Sequence, residues 1–272
     1  MKILYVSDLD GTLLNKDSMI SRKTIDIINA LVEKGMYFTF ATARSISSAY
    51  SITKDLHLRT PLIVYNGAFL IDPYTYFPIY QKFFKTNDAK ELLDLLLKNH
   101  RVPFVYAIVD GKERVSYMHK NLHEGALHYM SKRKNDKRFR CVATEDKLYE
   151  GSIFYITCID DYKNLSVIYE QVKEYSAYQS LFHQELFRDE YWLECMPSSV
   201  SKANAVMHLK EQEGFDYIVS FGDAINDLPL FQISDEAYAV ENAIDELKSY
   251  ATKVIKGHDE DAVALWLQEH FT

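Results

Sequence analysis

The sequence predicts an α/β fold: a doubly wound parallel sheet with a second, α+β domain inserted into it. Apolar, β-branched runs without polar alternation recur at residues 2–6, 37–41 and 62–65, as in strands buried on both faces of a parallel sheet. Helical patterns separate these runs, and the same alternation returns after residue 200. Between these two regions, the order of helical segments and short strands changes to one that is typical of an α+β unit with an antiparallel sheet.

The first half of the core begins with a strand over residues 2–6, which stops at the polar cluster around Asp8. Ser21 is suited to cap the next helix, because its hydroxyl can accept a hydrogen bond from a free backbone N–H. Gly35 stands where that helix would end, a position that favours glycine. A second helix is predicted over residues 45–56, which completes a β-α-β-α-β series.

The second half of the core begins with a helix from Ser201 to Gly214 and a strand over residues 217–221. Helical, strand and helical segments are predicted to follow up to residue 271. In the insert we expect helices at residues 88–99, 122–131 and 162–174, and strands at residues 104–109, 114–118, 153–159, 180–184 and 191–195.

The chain is long enough for two ordinary domains. We expect a core of residues 1–82 and 196–272, interrupted by an α+β domain of residues 83–195. Among the 272 residues, 47% are apolar and 14% aromatic, which is enough for a sizeable core in each domain. With nine glycines and six prolines, collagen-like and low-complexity classes are excluded.

Charge and cysteine content limit the partners and the compartment. The formal net charge of -8 argues against a nucleic-acid partner. The basic stretch at residues 132–140 has three interpretations: a solvated loop, an anion-binding rim or a nuclear-import signal. Cys141, Cys158 and Cys195 have neither disulfide nor zinc spacing, so we expect buried free thiols in a reducing cytoplasm. Because no run of eighteen apolar residues is present, we expect no membrane span.

Carboxylates follow two predicted strands at their ends. Asp8 and Asp10 lie in a D-L-D-G-T sequence after the first strand, and Asp223 and Asp227 lie in G-D-A-I-N-D after the strand at residues 217–221. If both strands are central, these groups meet at one edge of the sheet, where a hard cation such as Mg²⁺ would be needed to hold them ionised. Each group also has a structural interpretation, since Asp-Gly is a common turn and carboxylates favour helix starts.

The first of these sequences, extended to Leu14, resembles motif one (D-x-D-G-T-L-L) of the haloacid dehalogenase superfamily of phosphohydrolases. The whole chain is similar to the Cof-like branch of that family, which has a type IIB cap. The resemblance implies that Asp8 is a nucleophile that forms an aspartyl-phosphate. It implies that Asp10 protonates the leaving alkoxide and later activates water, roles that suit two carboxyl groups on one loop.

The remaining family motifs also have counterparts in this chain. By resemblance, Thr42 binds the transferring phosphoryl group, and Lys202 stabilises its charge and that of the nucleophile. Thr42 by itself could equally be a strand-end hydroxyl or a helix cap. A lone lysine is usually a surface residue, but Lys202 lies in a first helical turn, where the helix dipole opposes a cation. That unfavourable position supports a bound anion.

The resemblance implies an Mg²⁺ site and a phosphate pocket. Asp8 and Asp223 would bind Mg²⁺ through their side chains and Asp10 through its backbone carbonyl, while Asp227 would bind the metal or orient its water. The residues expected to contact substrate are Thr42, Ala43, Arg44, Asn66, Gly67, Lys202 and Asn226.

Three of these assignments have structural alternatives. Arg44 could clamp phosphate or form a salt bridge at a helix start. Asn66-Gly67 resembles a substrate-side loop of the branch, but the dipeptide is also a turn signal. Asn242, in a segment that also resembles the branch's pattern, could touch phosphate or shape a loop.

The chain departs from the branch at four positions where glycine is frequent in relatives. These positions hold Ala43, Ala203, Ala224 and Ala262. A β-carbon at such a position disfavours positive φ and narrows the space beside the phosphate. No polar group is lost, so we expect the chemistry to survive with a pocket of altered shape.

The function implied by the resemblance is Mg²⁺-dependent removal of phosphate from a small phosphorylated metabolite, such as a sugar phosphate. The insert stands where the type IIB cap belongs, and a cap of this kind selects the leaving group. Two alternatives are a phosphotransferase or mutase that uses the same intermediate and a catalytically idle ligand sensor. The sensor would have lost a nucleophile or metal carboxylate, and this sequence retains all of them.

Overall fold

The structure is a computed structural model that describes residues 1–185 and 188–271. The chain divides into two compact units, one of residues 1–81 and 200–272 and the other of residues 82–199. We call them the core unit and the inserted unit. The expected core domain of residues 1–82 and 196–272 and the expected inserted domain of residues 83–195 remain predictions about which parts of the chain fold independently.

The regular elements alternate along the chain. The strands are β1 (Ile3–Ser7), β2 (Tyr37–Phe40), β3 (Leu62–Val64), β4 (Phe69–Ile71), β5 (Pro78–Gln81), β6 (Phe104–Val109), β7 (Lys112–Tyr117), β8 (Phe139–Cys141), β9 (Ser152–Asp160), β10 (Tyr178–Gln184), β11 (Tyr191–Pro197), β12 (Tyr217–Gly222), β13 (Glu236–Val240) and β14 (Lys253–Ile255). The helices are α1 (Arg22–Glu33), α2 (Ile46–Thr53), α3 (Thr86–Lys98), α4 (Glu124–Ser131), α5 (Tyr162–Val172), α6 (Lys202–Glu213), α7 (Leu228–Ile233), α8 (Asp245–Tyr250) and α9 (Ala262–His270). None of the helices in the described part of the chain is long and apolar enough to cross a membrane.

The main sheet of the core unit is parallel, with the strand order β14-β13-β12-β1-β2. Strand β1 lies between β12 and β2, and its last residue, Ser7, is paired with Phe221 and with Phe40. The backbone N–H of Asp8 continues this ladder by donating to the carbonyl of Phe221 at 2.9 Å. The polar segments after β1 and β12 therefore start side by side, as the parallel-sheet prediction requires.

The helix ends follow the predicted capping pattern. The Ser21 hydroxyl accepts from the backbone N–H of Thr24 at 3.0 Å and starts α1. Ser201 does the same for α6, accepting from Asn204 at 3.0 Å, and Gly214 ends that helix with a φ of +67°. These predictions are confirmed because a cap depends on a local contact that the sequence already contains.

The third predicted strand joins the core differently from the expectation. Strand β3 belongs to a separate antiparallel sheet of order β3-β4-β5 and is joined to the parallel sheet by one bridge, between Ala41 and Ile63. The chain turns back directly after β3, where Asn66 has a φ of +53°.

The hairpin of β4 and β5, and the later elements α8 and β14, were missing from the sequence prediction because each of these elements is short.

The inserted unit is a six-stranded sheet of order β10-β11-β9-β6-β7-β8. Helices α3 and α5 share one apolar cluster with strand residues of the same unit, for example Leu92 and Leu165 with Val105 and Ile156. The expected α+β architecture is confirmed. The sheet is not wholly antiparallel, however, because β8 pairs with β7 in parallel.

Two expectations about the inserted unit are corrected. The basic stretch is a solvated loop only in its first part, where Lys132, Lys134 and Lys137 are exposed. In its second part, Arg138 binds Glu113 at 2.5 Å and Arg140 binds Glu150 at 3.0 Å. It includes β8, which the sequence prediction left out. Among the three cysteines, Cys141 is exposed, while Cys158 and Cys195 are buried as expected.

The Ser21 cap makes a prediction about stability. Its hydroxyl also donates to Asp261, so Ser21→Ala removes two contacts at a partly buried position. We expect a loss of about 1–2 kcal/mol in the free energy of unfolding, measured by urea denaturation. Ser51→Ala, at an exposed position inside α2, is the matched control and should change stability by less than about 0.5 kcal/mol. Equal effects of the two substitutions would contradict a capping role.

Candidate active site

The carboxylates predicted to converge do so at the carboxyl edge of the parallel sheet. Asp8 follows β1, Asp223 follows β12, and Asp227 ends the helical turn after it. One carboxylate oxygen from each of these residues lies within 4.8 Å of the others. Asp10 is outside this cluster, since its side chain turns toward Arg44. The sequence prediction is therefore matched for three of the four side chains.

Lys202 connects the carboxylates. Its side chain is 1% exposed, and its Nζ donates to Asp8 Oδ1 at 2.5 Å and to Asp227 Oδ1 at 2.6 Å. Burial by itself would lower the pKa of Lys202, but the charges of Asp227 and Asp8 outweigh it and hold that pKa above its usual value. The two anions explain why a lysine occupies the first turn of α6, against the helix dipole.

Asp227 has both carboxylate oxygens engaged. Oδ1 accepts from Lys202, and Oδ2 accepts from the backbone N–H groups of Asp223 and Ala224, at 3.1 Å each. The side chain is fully buried, and a β-carbon at Gly222 would lie 2.7 Å from its Cγ. Asp227 thus holds the loop after β12 and the Lys202 ammonium together.

Asp223 is the more open carboxylate of the pair after β12. Its Oδ1 accepts from the Thr12 hydroxyl at 2.8 Å, and a β-carbon at Gly11 would overlap its carboxylate. Burial and the charge of Asp227 raise the pKa of Asp223 to about 6. Thr12 was outside the predicted set of site residues, although its place in the D-x-D-G-T motif was the available signal.

Asp8 is buried, and burial raises its pKa well above the usual range, with Asp227 and Asp223 adding to the effect and Lys202 opposing it. The cluster therefore has more negative charge than one lysine offsets. Such a site favours the arrival of a cation beside the carboxylates.

Arg44 forms the salt bridge that was one of its two sequence interpretations. Its Nε donates to Asp10 Oδ2 at 2.8 Å and its Nη2 to Asp10 Oδ1 at 2.6 Å. This bidentate geometry is the strongest arrangement for an arginine and a carboxylate. Both Asp10 oxygens are engaged, although half of the side chain remains exposed.

The residues expected on the phosphate side lie in the three segments that follow β2, β3 and β12. The buried Thr42 hydroxyl accepts from the Arg44 backbone N–H at 3.1 Å, and the Thr42 carbonyl accepts from the Asn66 N–H at 2.8 Å. The Asn226 amide donates to Asn66 Oδ1 at 3.2 Å. Ala43, between Thr42 and Arg44, is exposed. The segments after β2, β3 and β12 are therefore in hydrogen-bond contact.

Gly67 has a steric reason for its identity. Its φ is +97°, and a β-carbon there would overlap the backbone oxygen of Ser201, next to Lys202. Gly67 thus allows the start of α6 to lie against the loop after β3. Whether this glycine contacts substrate stays a prediction.

Asn242 shapes a loop, which was the second of its two interpretations. Its amide donates to the Gly11 carbonyl at 2.8 Å, and its Oδ1 accepts from the His258 N–H at 3.1 Å. The loop that contains Asp10 and Gly11 is therefore held from its outer side by the segment after β13.

The four alanines that replace family glycines are compatible with the backbone. None of Ala43, Ala203, Ala224 and Ala262 has a positive φ, and Ala224 has an extended φ of -121°. Because a side chain is unstrained in these conformations, the substitutions leave the loops of the site intact.

The fold and this site define a class of enzyme. It is a hydrolase with an α/β fold, and its site combines aspartates with a buried lysine at the carboxyl edge of a parallel sheet. The chain belongs to the haloacid dehalogenase-like hydrolase family, whose model matches residues 5–267. The resemblance to this family is thereby confirmed. Within it, the chain is an enzyme of the phosphoric monoester hydrolase class.

Individual relatives match the chain over its full length. A protein of Bacillus subtilis, the 5-amino-6-(5-phospho-D-ribitylamino)uracil phosphatase YwtE, is 28% identical over 99% of this chain and 98% of its own. The crystal structure of TM0651 from Thermotoga maritima has a TM-score of 0.80 and 25% identity, over 100% of this chain and 98% of that one. The sugar phosphatase BT4131, of HAD subclass IIB, has the same fold with a TM-score of 0.77 and 18% identity, over 99% and 98% of the chains. The type IIB organisation expected from the sequence is therefore confirmed.

The contact of Gly67 with Ser201 predicts a loss of activity through displacement of Lys202. Gly67→Ala should lower kcat for a phosphate monoester by about tenfold or more, because small misplacements of reacting groups have large effects on rate. Gly35→Ala is the matched control, since Gly35 has a φ of +101° but no atom within 4 Å of the added β-carbon. It should lower stability alone, by about 1 kcal/mol. An equal kcat for both variants would contradict the steric role of Gly67.

Proposed function

We propose that this protein is a Mg²⁺-dependent phosphohydrolase that removes phosphate from a small phosphorylated metabolite through an aspartyl-phosphate on Asp8. The observation that supports this most directly is the placement of Asp8. Its buried carboxylate directly follows β1, an inner strand of the parallel sheet, 2.5 Å from the Lys202 ammonium and close to Asp223 and Asp227. A carboxylate in this position can approach a phosphate only if the surrounding charge is balanced.

The donor set fits a hard divalent cation. The clustered groups are three carboxylates, which are the ligands that Mg²⁺ prefers, and the one buried lysine beside them, Lys202, contacts only two of the three. Asp8, Asp223 and the backbone carbonyl of Asp10 are the residues we assign to hold it. Since both oxygens of Asp227 are engaged, we assign that residue to orientation of the loop and of metal-bound water. When bound, the ion supplies neutralisation of phosphoryl and carboxylate charge.

Asp8 acts as the nucleophile in the proposed reaction. One of its carboxylate oxygens attacks the phosphorus atom in line with the ester oxygen, so the new P–O bond forms as the ester P–O bond breaks. Lys202 stays beside the attacking carboxylate and offsets the negative charge on the transferred group. Thr42 and Asn226 are assigned to hold the phosphoryl oxygens, with Asn66, Gly67, Ala43 and Arg44 forming the surrounding loops.

Asp10 acts as acid and then base. It gives a proton to the leaving alkoxide, and in the second step it takes a proton from the water that attacks the aspartyl-phosphate. Both of its oxygens accept hydrogen bonds from Arg44 in this structure, so one of those bonds must open and Asp10 must take up a proton from solvent before it can deliver that proton to the alkoxide. Arg44 is therefore assigned to orientation of Asp10 as well as to the substrate side of the site.

The substrate we propose is a sugar phosphate or a similar phosphorylated metabolite. YwtE is named for a substrate with a phosphorylated ribityl chain, and BT4131 for sugar phosphates. The inserted unit is assigned the role of cap, which selects the leaving group. We place the enzyme in the cytoplasm, where its cysteines would remain free thiols.

A phosphotransferase would use the same first step and pass the phosphoryl group to a second substrate instead of water. Asp8, Asp10 and Lys202 act in the same way in hydrolysis and in transfer, because the two reactions differ only in the acceptor of the phosphoryl group. Release of inorganic phosphate without an added acceptor is the measurement that favours hydrolysis, and a strict acceptor requirement would favour transfer.

Asp8→Asn tests the nucleophile. The substitution keeps the size of the side chain but removes the attacking oxygen anion, so Mg²⁺-dependent hydrolysis of p-nitrophenyl phosphate should fall by about 10⁴-fold or more. Asp26→Asn, on the exposed face of α1, is the control and should retain full activity. Chelation of Mg²⁺ should abolish the activity of the wild-type protein. Unchanged turnover by the Asp8 variant would exclude the aspartyl-phosphate mechanism.

The raised pKa of Asp223 predicts how pH and Mg²⁺ affect stability. A carboxyl group with a pKa raised in the folded state loses its stabilising contribution as the pH rises from its unfolded value toward about 6. At about pH 7.5, where the carboxylate is ionised, Mg²⁺ should therefore raise Tm strongly, and at about pH 5, where protons compete, only weakly.

Asp223→Asn provides the internal check on this prediction. The substitution removes a carboxylate that the charge of Asp227 repels. It should therefore raise Tm of the metal-free protein near pH 7.5 and eliminate the response of Tm to Mg²⁺. Asp17→Asn, at an exposed loop position, should leave both properties unchanged. Thermal melts recorded with and without Mg²⁺ measure each effect, and a pH-independent Mg²⁺ response would refute the assignment of Asp223 as a ligand.

A further inference from the structure

The tip of the β4–β5 hairpin in the core unit exposes a group of apolar side chains that the proposed chemistry does not use. We call it the hairpin surface and define it by five residues: Tyr50, Tyr74, Tyr76, Phe77 and Ile79. Tyr74, Phe77 and Ile79 are 69%, 73% and 58% exposed. Tyr50, on α2, packs edge-on against Tyr76 with ring centroids 4.8 Å apart, which joins the helix to the hairpin.

The hairpin surface is held in place by its own turn. The Asp72 carboxylate accepts from the backbone N–H groups of Tyr74 and Thr75, at 3.1 and 2.7 Å, and from the Thr75 hydroxyl at 2.8 Å. The Asp72 N–H donates to the Phe77 carbonyl at 2.9 Å. A turn with these bonds presents its side chains in one arrangement, so little ordering entropy is lost on association.

The area of the surface is close to what a dimer interface needs. With about 200 Å² for a fully exposed aromatic side chain, the five side chains expose roughly 550 Å². This is at the upper end of the largest apolar patch on a typical monomer, about 300–600 Å². A stable protein–protein interface buries about 800 Å² on each partner, so the apolar surface would supply most of it.

The charge distribution favours a second copy of this chain as the partner. Residues 73–81 contain no charged side chain, although the chain as a whole has a net charge of -8. In a twofold interface the same surface is present on both partners and the residues near the axis lie beside their own copies, so like charges there would repel and an uncharged surface is self-compatible.

We propose that the hairpin surface is the interface of a symmetric homodimer, in which the aromatic side chains of the two hairpin tips pack against each other around the twofold axis. This interface is independent of the phosphatase centre, because none of its five side chains belongs to the assigned site residues.

Sedimentation velocity of the wild-type chain and of Ile79→Lys tests the proposal. The wild type should be a dimer above about 1 μM, the affinity range of modest specific interfaces, and the lysine variant a monomer. Val167→Lys is the matched control, since Val167 is a β-branched residue on α5 that is also 58% exposed. It should remain a dimer. A wild-type chain that stays monomeric at about 100 μM, or an Ile79→Lys variant that remains dimeric, would overturn the proposal.

A cross-linking experiment locates the interface directly and does not depend on a destabilising charge. In a Cys141→Ser background, which removes the exposed native thiol, Phe77→Cys should form an intermolecular disulfide under mild oxidation. Val167→Cys in the same background should not. Cross-linking of both cysteines to the same extent, or of neither, contradicts the proposed interface. Circular dichroism and hydrolysis of p-nitrophenyl phosphate confirm that each variant is folded, so a failed dimer is distinguishable from a failed catalytic assignment.

Discussion

The buried ammonium of Lys202 between Asp8 and Asp227 is the interaction on which the geometry of the core depends. Transfer of these three charges from water to the protein interior is unfavourable, and the burial is tolerated only because each charge lies 2.5–2.6 Å from an opposite one. The three residues come from the end of β1, the start of α6 and the loop after β12. Their contacts therefore fix three separate segments of the chain relative to one another.

Close packing around this ion pair explains where the chain uses glycine. Gly11, Gly67 and Gly222 each lie where a β-carbon would meet Asp223, Ser201 or Asp227. These are three of only nine glycines in the chain, and all three are in the loops of the site. The alanines that replace family glycines stand instead at positions with ordinary φ, where a side chain is unstrained. A β-carbon is thus excluded at these three positions, where a carboxylate or the Ser201 backbone fills the space.

The balance of charge differs between the site and the rest of the molecule. In the inserted unit, Arg138 is paired with Glu113 and Asp136, and Arg140 with Glu150, so the charges of these two arginines are neutralised locally. At the carboxyl edge of the core sheet, the aspartates exceed the single buried lysine, and burial together with the charge of Asp227 raises the pKa of Asp223. An excess of carboxylate at a site suited to a metal is a feature of function rather than of stability, because a fully matched set would be more stable without a ligand.

Local sequence determined several features of the fold and of the site. The caps of α1 and α6, the buried strands β1 and β12 and the aspartates that follow them could be predicted, because each depends on neighbouring residues or on the order of elements in a parallel sheet. Tertiary structure decided the rest. Arg44 could be a phosphate clamp or a salt bridge until the position of Asp10 was known, and Asn242 acquires its role only from a carbonyl 231 residues away in the chain. The ion pair between Arg138 and Glu113 likewise depends on segments that meet only after folding, and local propensity contains no information about such meetings.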